Sequence, residues 1–160
     1  MKRKLACLII FLMAYSILLF SSCKKGCTDN TASNYNADAK KDDGTCIYYA
    51  DMFAGTYNMV EHNEQYSSGL WTSSDFNYTL VISKLNNTSI QISNIGNTGK
   101  SVMADANSTA IVISSQSLEL STPDTISGSA ALNHSRLTLD YDYSAGSTFT
   151  RTATSTGTRQ

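Results

Sequence analysis

Thiols, imidazoles and grouped carboxylates are the side chains of this chain that could carry reactive chemistry. The thiols are Cys7, Cys23, Cys27 and Cys46, and the imidazoles are His62 and His134. Asp38, Asp42 and Asp43 crowd between two of the cysteines. Thiolates attack electrophiles or ligate soft metals, imidazoles move protons near neutral pH, and clustered carboxylates hold hard cations. In "EHNE" (61–64), His62 and Glu64 offer an imidazole and a carboxylate to a metal or a proton-transfer step. The plainer reading places them at the polar end of a first strand. No G-x-S-x-G elbow, H-E-x-x-H helix or glycine-rich phosphate loop is present. His134 lies in "NHS", a predicted hairpin turn.

The elements around the cysteines give them a context. "MKRK" is followed by sixteen uncharged residues, Leu5 to Phe20. That run is short for a spanning helix, which takes about 20 residues, and fits the apolar region of an export signal. "FSSC" (20–23) resembles the box of bacterial lipoproteins, and "SSCKK" resembles the cleavage site of such proteins in the Bacteroidota. The resemblance implies cleavage before Cys23, a diacylglycerol thioether on its sulfur and an acylated new amine. Plain secretion and an uncleaved helix are the alternatives. Several acyl chains on one residue exceed the two signals that stable anchoring takes. The expected location is the cell envelope, anchored by lipid to the outer membrane, facing either the periplasm or the outside.

With Cys7 lost in the signal (1–22) and Cys23 lipidated, Cys27 and Cys46 are the thiols left in an oxidising compartment, and they are expected to pair. A loop of about 20 residues closed this way contributes roughly 3 kcal/mol in the chain-entropy account. The stretch "GCTDNTASNYNADAKKDDGTCIY" resembles a short Cys-bounded module of secreted Bacteroidota proteins, of the form GCTDxxAxNYNxxAxxDDGxC. Asp38, Asp42 and Asp43, with Asn36, are candidate oxygen ligands for Ca²⁺, otherwise no cofactor is expected. The alternative is ordinary turn chemistry in a spacer, since "DDG" favours Asx-turns and the EF-hand spacing is absent.

From Phe53 onward the pattern has period two. "FNYTLVIS" puts Phe76, Tyr78, Leu80 and Ile82 on one face, and "SRLTLDYDY" does the same with Leu137, Leu139, Tyr141 and Tyr143. Shorter alternations follow at 90–92, 102–104, 111–113, 118–120 and 126–132, separated by Asn-, Gly- and Asp-rich turns. The fold class is all-β: an antiparallel up-and-down barrel or tight sandwich of about eight strands. "FAGTY", "YTLVIS", "TISGSA" and "LTLDY" resemble strands of small lipocalin-like lipoproteins of the Bacteroidota, which implies the barrel and no catalytic residues. The expected divisions are the signal at 1–22, a stapled spacer at 23–50, the β-domain at 51–156 and a flexible tail at 157–160.

The predicted connection His62–Asp75 is long for a hairpin, and long ordered loops are often functional. It holds Tyr66 and Trp71, which with Phe76 are the ligand-binding candidates; the alternative is that Trp71 plugs a barrel end. Thr125 in "DTI" resembles an O-glycosylation acceptor of exported Bacteroidota proteins. Removing Lys2, Arg3 and Lys4 leaves nine basic against thirteen acidic residues, a balance of about −4, so no nucleic acid is expected as partner. The expected function is a non-enzymatic, membrane-anchored lipoprotein that binds a small apolar ligand or serves as an accessory module. The alternatives are a protein–protein interaction module of the envelope and an enzyme using His62 and Glu64.

Overall fold

A computed structural model describes residues 23–118 and 124–160. The expected export signal at 1–22, Cys7 and most of the expected strand at 118–120 lie outside the described residues; Leu118 itself is a bend residue. The chain divides into two compact units. One runs to Asn30 and takes in Asn34–Cys46, and the other comprises Thr31–Ser33 and Ile47–Gln160.

Among its described residues the smaller unit has no helix or strand beyond one isolated bridge between Lys25 and Lys41. Cys27 and Cys46 form the expected disulfide, with Cα atoms 4.8 Å apart. Backbone bonds from Asn36 N–H to the Cys27 carbonyl (2.9 Å) and from Lys40 N–H to the Lys24 carbonyl (2.8 Å) fold the loop back on itself. With so few apolar side chains to bury, a unit of this size needs the crosslink to hold a conformation.

The larger unit opens with one helical turn, α1 (Tyr49–Phe53), and continues as eight antiparallel strands. They are β1 (Gly55–Ser67), β2 (Leu70–Lys84), β3 (Ser89–Ser93), β4 (Ser101–Ala106), β5 (Ile111–Gln116), β6 (Asp124–Asn133), β7 (Arg136–Ala145) and β8 (Phe149–Arg159). Each strand pairs with the next, and β8 returns to β1, closing an up-and-down barrel. A short 3₁₀ turn, Ile95–Asn97, lies between β3 and β4. Alternate residues of every strand face inward, and the interior is filled by Tyr57, Met59, Leu80, Ile90, Ile92, Ile111, Leu137 and Leu139, each at most 1% exposed. At one end α1 closes the barrel: Ala50 and Phe53, spaced to share a helix face, are both buried in the same core.

Three expectations change. The long loop at 62–75 is a continuous hairpin, because β1 and β2 stay paired up to Ser67 and Leu70 and turn in two residues, Ser68 and Gly69. Both turn residues have positive φ, 53° and 88°, as a tight hairpin matched to strand twist requires. "EHNE" therefore sits in the middle of β1 and not at its end. The tail at 157–160 is strand up to Arg159, pairing with β1 as far as Tyr57. Its inward positions Ala153, Ser155 and Gly157 are small, and at Gly157 the paired strand β1 already fills the space: a Cβ there would meet Met59 Sδ at 2.2 Å.

The strands differ in height. β3, β4 and β5 have 5, 6 and 6 residues, against 13 and 15 in β1 and β2 and 10 to 11 in β6, β7 and β8. β2 pairs with β3 only over Val81–Lys84. The end opposite α1 is thus a mouth with one tall wall and one short wall, and the 3₁₀ turn stands over the short side.

Candidate functional site

The mouth is built from five elements. Period two along β1 sends Tyr57, Met59, Glu61 and Asn63 inward, so a carboxylate lands where the flanking positions are core. Glu61 is 0% exposed. Its Oε1 accepts from Tyr141 Oη on β7 at 2.8 Å and from Arg151 Nη2 on β8, and its Oε2 accepts from Ser155 Oγ on β8 at 2.8 Å. Tyr78 Oη on β2 lies 3.2 Å from Ser155 Oγ. A buried ion of either sign is costly unless paired and hydrogen-bonded, and this carboxylate meets both conditions.

Arg151 is held from its faces as well. Its guanidinium carbon lies 5.4 Å from the centre of the Phe76 ring and 5.8 Å from that of Tyr141, within cation–π range. Gly96, at the middle of the 3₁₀ turn, closes over the cluster. A Cβ there would lie 2.1 Å from Tyr141 Oη and 3.4 Å from Arg151 Nη2, so only glycine lets the turn approach. Burial, followed by the Glu61 charge, pushes the Tyr141 hydroxyl well above its ordinary range; burial is the main cause for Tyr78 too. Both stay neutral donors across the physiological range. With its charge balanced and its oxygens occupied, Glu61 is a structural anchor for Arg151 and not a free base.

Beside this cluster lies a cavity of about 130 Å³. Ile95, Leu118, Ile126 and Phe149 supply apolar walls, and Tyr141, Tyr143 and Arg151 supply polar groups, with Thr98 and Lys100 also on the lining. Arg151 Nε is buried and has no hydrogen-bond partner. No protein-family model, curated protein or solved structure matches the chain. The functional reading therefore rests on the residues themselves.

The sequence candidates are distributed unevenly about this site. Phe76 faces inward and joins it through Arg151 and through Tyr78, whose ring centre is 5.7 Å away. Tyr66 and Trp71 pair with each other on the outer face of the hairpin, ring centres 5.3 Å apart, and Trp71 is 63% exposed. Trp71 neither plugs the barrel nor lines the cavity, because the parity of β2 turns it away from Phe76. His62 faces outward, with Nδ1 2.6 Å from Asp75 Oδ1 across the hairpin. Glu64 shares that outer face and makes no cluster with it. His134 sits at a turn with φ 57°. Thr125 lies within β6, its Oγ1 2.7 Å from Ser144 Oγ on β7.

In the small unit, Asp38 accepts from Lys24 Nζ at 2.9 Å. Asp42 accepts from Gly44 N–H at 2.8 Å, and Asp43 accepts from Thr45 N–H at 3.1 Å and from its hydroxyl at 2.6 Å. The Thr45 hydroxyl is the main cause holding the Asp43 carboxyl below its usual range. These are Asx-turn bonds, and among the described residues no three His, Cys, Asp or Glu side chains converge on a metal position. Cys23 is exposed and stands outside the disulfide.

The sequence reading missed Glu61 and Arg151. The available signal was parity: extending the inward set Tyr57, Met59 by two places reaches Glu61.

Proposed function

We propose that this chain is a lipid-anchored, non-enzymatic protein of a bacterial cell envelope that binds a small ligand at the mouth of its barrel. The observation that carries the binding reading is the cavity next to Arg151, a cation fixed by Glu61 yet holding a buried donor without an acceptor. Pre-formed sites of this kind combine apolar walls with a few placed polar groups. The anchor reading rests on "MKRK", the apolar run and "FSSC", and a disulfide four residues beyond Cys23 suits an oxidising compartment. The outer membrane, with the lipocalin-like lipoproteins of the Bacteroidota as the implied relatives, belongs to the same proposal.

Two measurements test it. Intact mass of the native product is expected to show a chain starting at Cys23 with added acyl mass; a retained 1–22 segment or an unmodified Cys23 would overturn the anchor. Native mass spectrometry is expected to show a small co-purified molecule, and its persistent absence together with failure of every probe to bind would overturn the binding reading.

A second reading, docking to another envelope protein, is favoured by the hairpin tip, where Leu70 and Trp71 are 65% and 63% exposed. Crosslinking in whole cells through position 71 tests it, with a discrete adduct expected and monomer alone overturning it.

A further inference from the structure

We infer that the mouth cavity is selective for a small monocyclic carboxylate, an inference that rests on the ligand-binding reading above and names its chemistry. Size is the first argument. The barrel interior is filled, and the space beside Arg151 is about 130 Å³. A dry cavity of ~150 Å³ accommodates one benzene ring. A long acyl chain or a fused-ring ligand is not enclosed there without unpacking the core, whereas one six-membered ring is.

Shape and wall chemistry are the second argument. Ile95, Leu118, Ile126 and Phe149 line the space with flat and branched apolar surface, which suits a ring body. The third is the polar end. Arg151 donates one nitrogen to Glu61, and its Nε–H stays buried without an acceptor. Buried donors are almost always satisfied in folded proteins, so an unsatisfied donor on a residue that lines the cavity marks a side chain with capacity for a further acceptor. A guanidinium selects planar oxygen acceptors, carboxylates above all.

The charges around the cavity agree with this choice. Arg151 is balanced by Glu61, and Lys100 also lies on the lining. Among the described residues nearby, the Asp124 carboxylate accepts hydrogen bonds from Tyr143 Oη at 3.4 Å and from Ser117 Oγ, which blunts its repulsion of an entering anion. The Phe76 and Tyr141 rings beside the guanidinium prevent it from swinging away, so the donor is positioned before the ligand arrives.

The test uses the native processed protein and three probes: benzoate, its neutral ring analogue toluene, and the acyclic acid hexanoate. Calorimetry is expected to show benzoate binding at least about tenfold more tightly than either of the others. The Arg151 Nε–H resonance is expected to shift with benzoate and not with toluene. Two variants locate the site. Arg151→Lys removes the planar donor and is expected to weaken benzoate by about tenfold or more. Leu118→Phe fills the cavity without touching the Glu61 cluster and is expected to abolish binding while the fold, read by circular dichroism, is kept. Toluene or hexanoate binding as well as benzoate overturns the carboxylate or the ring assignment respectively, and unchanged benzoate affinity in Leu118→Phe overturns the location. A different ligand found on the native protein, with benzoate silent, overturns the class and leaves the binding reading standing. Silence of all probes with no co-purified ligand removes both.

Discussion

The side-chain amide of Gln116 takes the place of a neighbouring strand for Met103. It accepts from the Met103 N–H at 2.9 Å and donates to the Met103 carbonyl at 2.6 Å. β4 and β5 pair directly only at Asp105–Val112 and Ala106–Ile111, so their upper halves diverge. A bulge lies just before Gln116: three steps on β5, from Ile113 to Gln116, oppose two on β6, from Gly128 to Ile126. The extra residue re-aims the side chain at β4, a known use of such bulges. The seam is thereby stitched where the backbone ladder stops.

Gln116→Ala is expected to open that seam. Two hydrogen bonds to backbone are lost, and the variant should be less stable by about 1–2 kcal/mol. Amide exchange at Met103 should quicken selectively, while exchange at Ile90 and Ile92 on the far side of β4 follows only the global change. Equal exchange at Met103 in both proteins would remove the stitch from the account.

The Glu61–Arg151 pair should behave unlike a surface ion pair. Glu61 is wholly buried and the Arg151 side chain is 15% exposed. Glu61→Ala alone strands a buried cation and is expected to cost about 3–5 kcal/mol in urea unfolding. The double replacement Glu61→Leu with Arg151→Met removes both charges and should recover most of that loss. A double variant no better than the single would show that the network contributes more than charge balance.

Gly96→Ala is expected to lift the 3₁₀ turn from the mouth. The residue has φ 57°, and the added methyl would lie 2.1 Å from Tyr141 Oη. Together, strain and overpacking should cost roughly 1–3 kcal/mol, read as a lower urea midpoint with unchanged slope. The tyrosine fluorescence of the mouth should change as well, because the turn packs directly on the Tyr141 hydroxyl.

Alkaline pH should weaken the barrel through Tyr78 and Tyr141. Both hydroxyls ionise well above their ordinary value of 10.0, chiefly because they are buried, with the Glu61 charge adding to it. A folded value above the unfolded one means the unfolded chain releases protons first as pH rises. Their contribution is whole below about pH 10 and declines above it, towards the folded values. Stability measured in urea should therefore fall above that pH, and the phenolate absorbance of these two residues should rise only with unfolding. Phenylalanine at both positions should flatten this part of the profile.

Acid should act through Asp51, whose carboxyl is held below its usual range mainly by its hydrogen bonds with Lys84, at 2.8 and 2.9 Å. A depressed folded value gives stability that is present above the unfolded value and lost as pH falls through the folded one. The pair is partly exposed, so the effect on the α1 plug should be small and should shrink with added salt.

Period-two alternation placed Leu80, Ile82, Leu137 and Leu139 inside before any coordinates, because a strand's two faces are set by local backbone geometry. The turn chemistry of "DDG" and the pairing of Cys27 with Cys46 were also legible, the first from side chains bonding their own backbone, the second from the expectation that Cys7 leaves with a signal and Cys23 carries lipid. Hairpin register was not. Polar residues at 62–75 looked like loop because the upper part of β1 and β2 rises beyond the short wall of the barrel, where inward positions no longer need to be apolar. The β8 end looked like tail because its inward residues are small, and at Gly157 that size is dictated by Met59 on the paired strand β1.

The sequence by itself determined that the chain makes strands, where most of them turn and which parity faces in, since each of these depends on a few neighbouring residues. Only closure of the barrel decided that Glu61 meets Arg151, 90 residues away, and that a ring-sized space remains beside them. The physical reason is that the register between β1 and β8, which closes the barrel, depends on register and strand height summed around eight strands. No local stretch of sequence contains that sum.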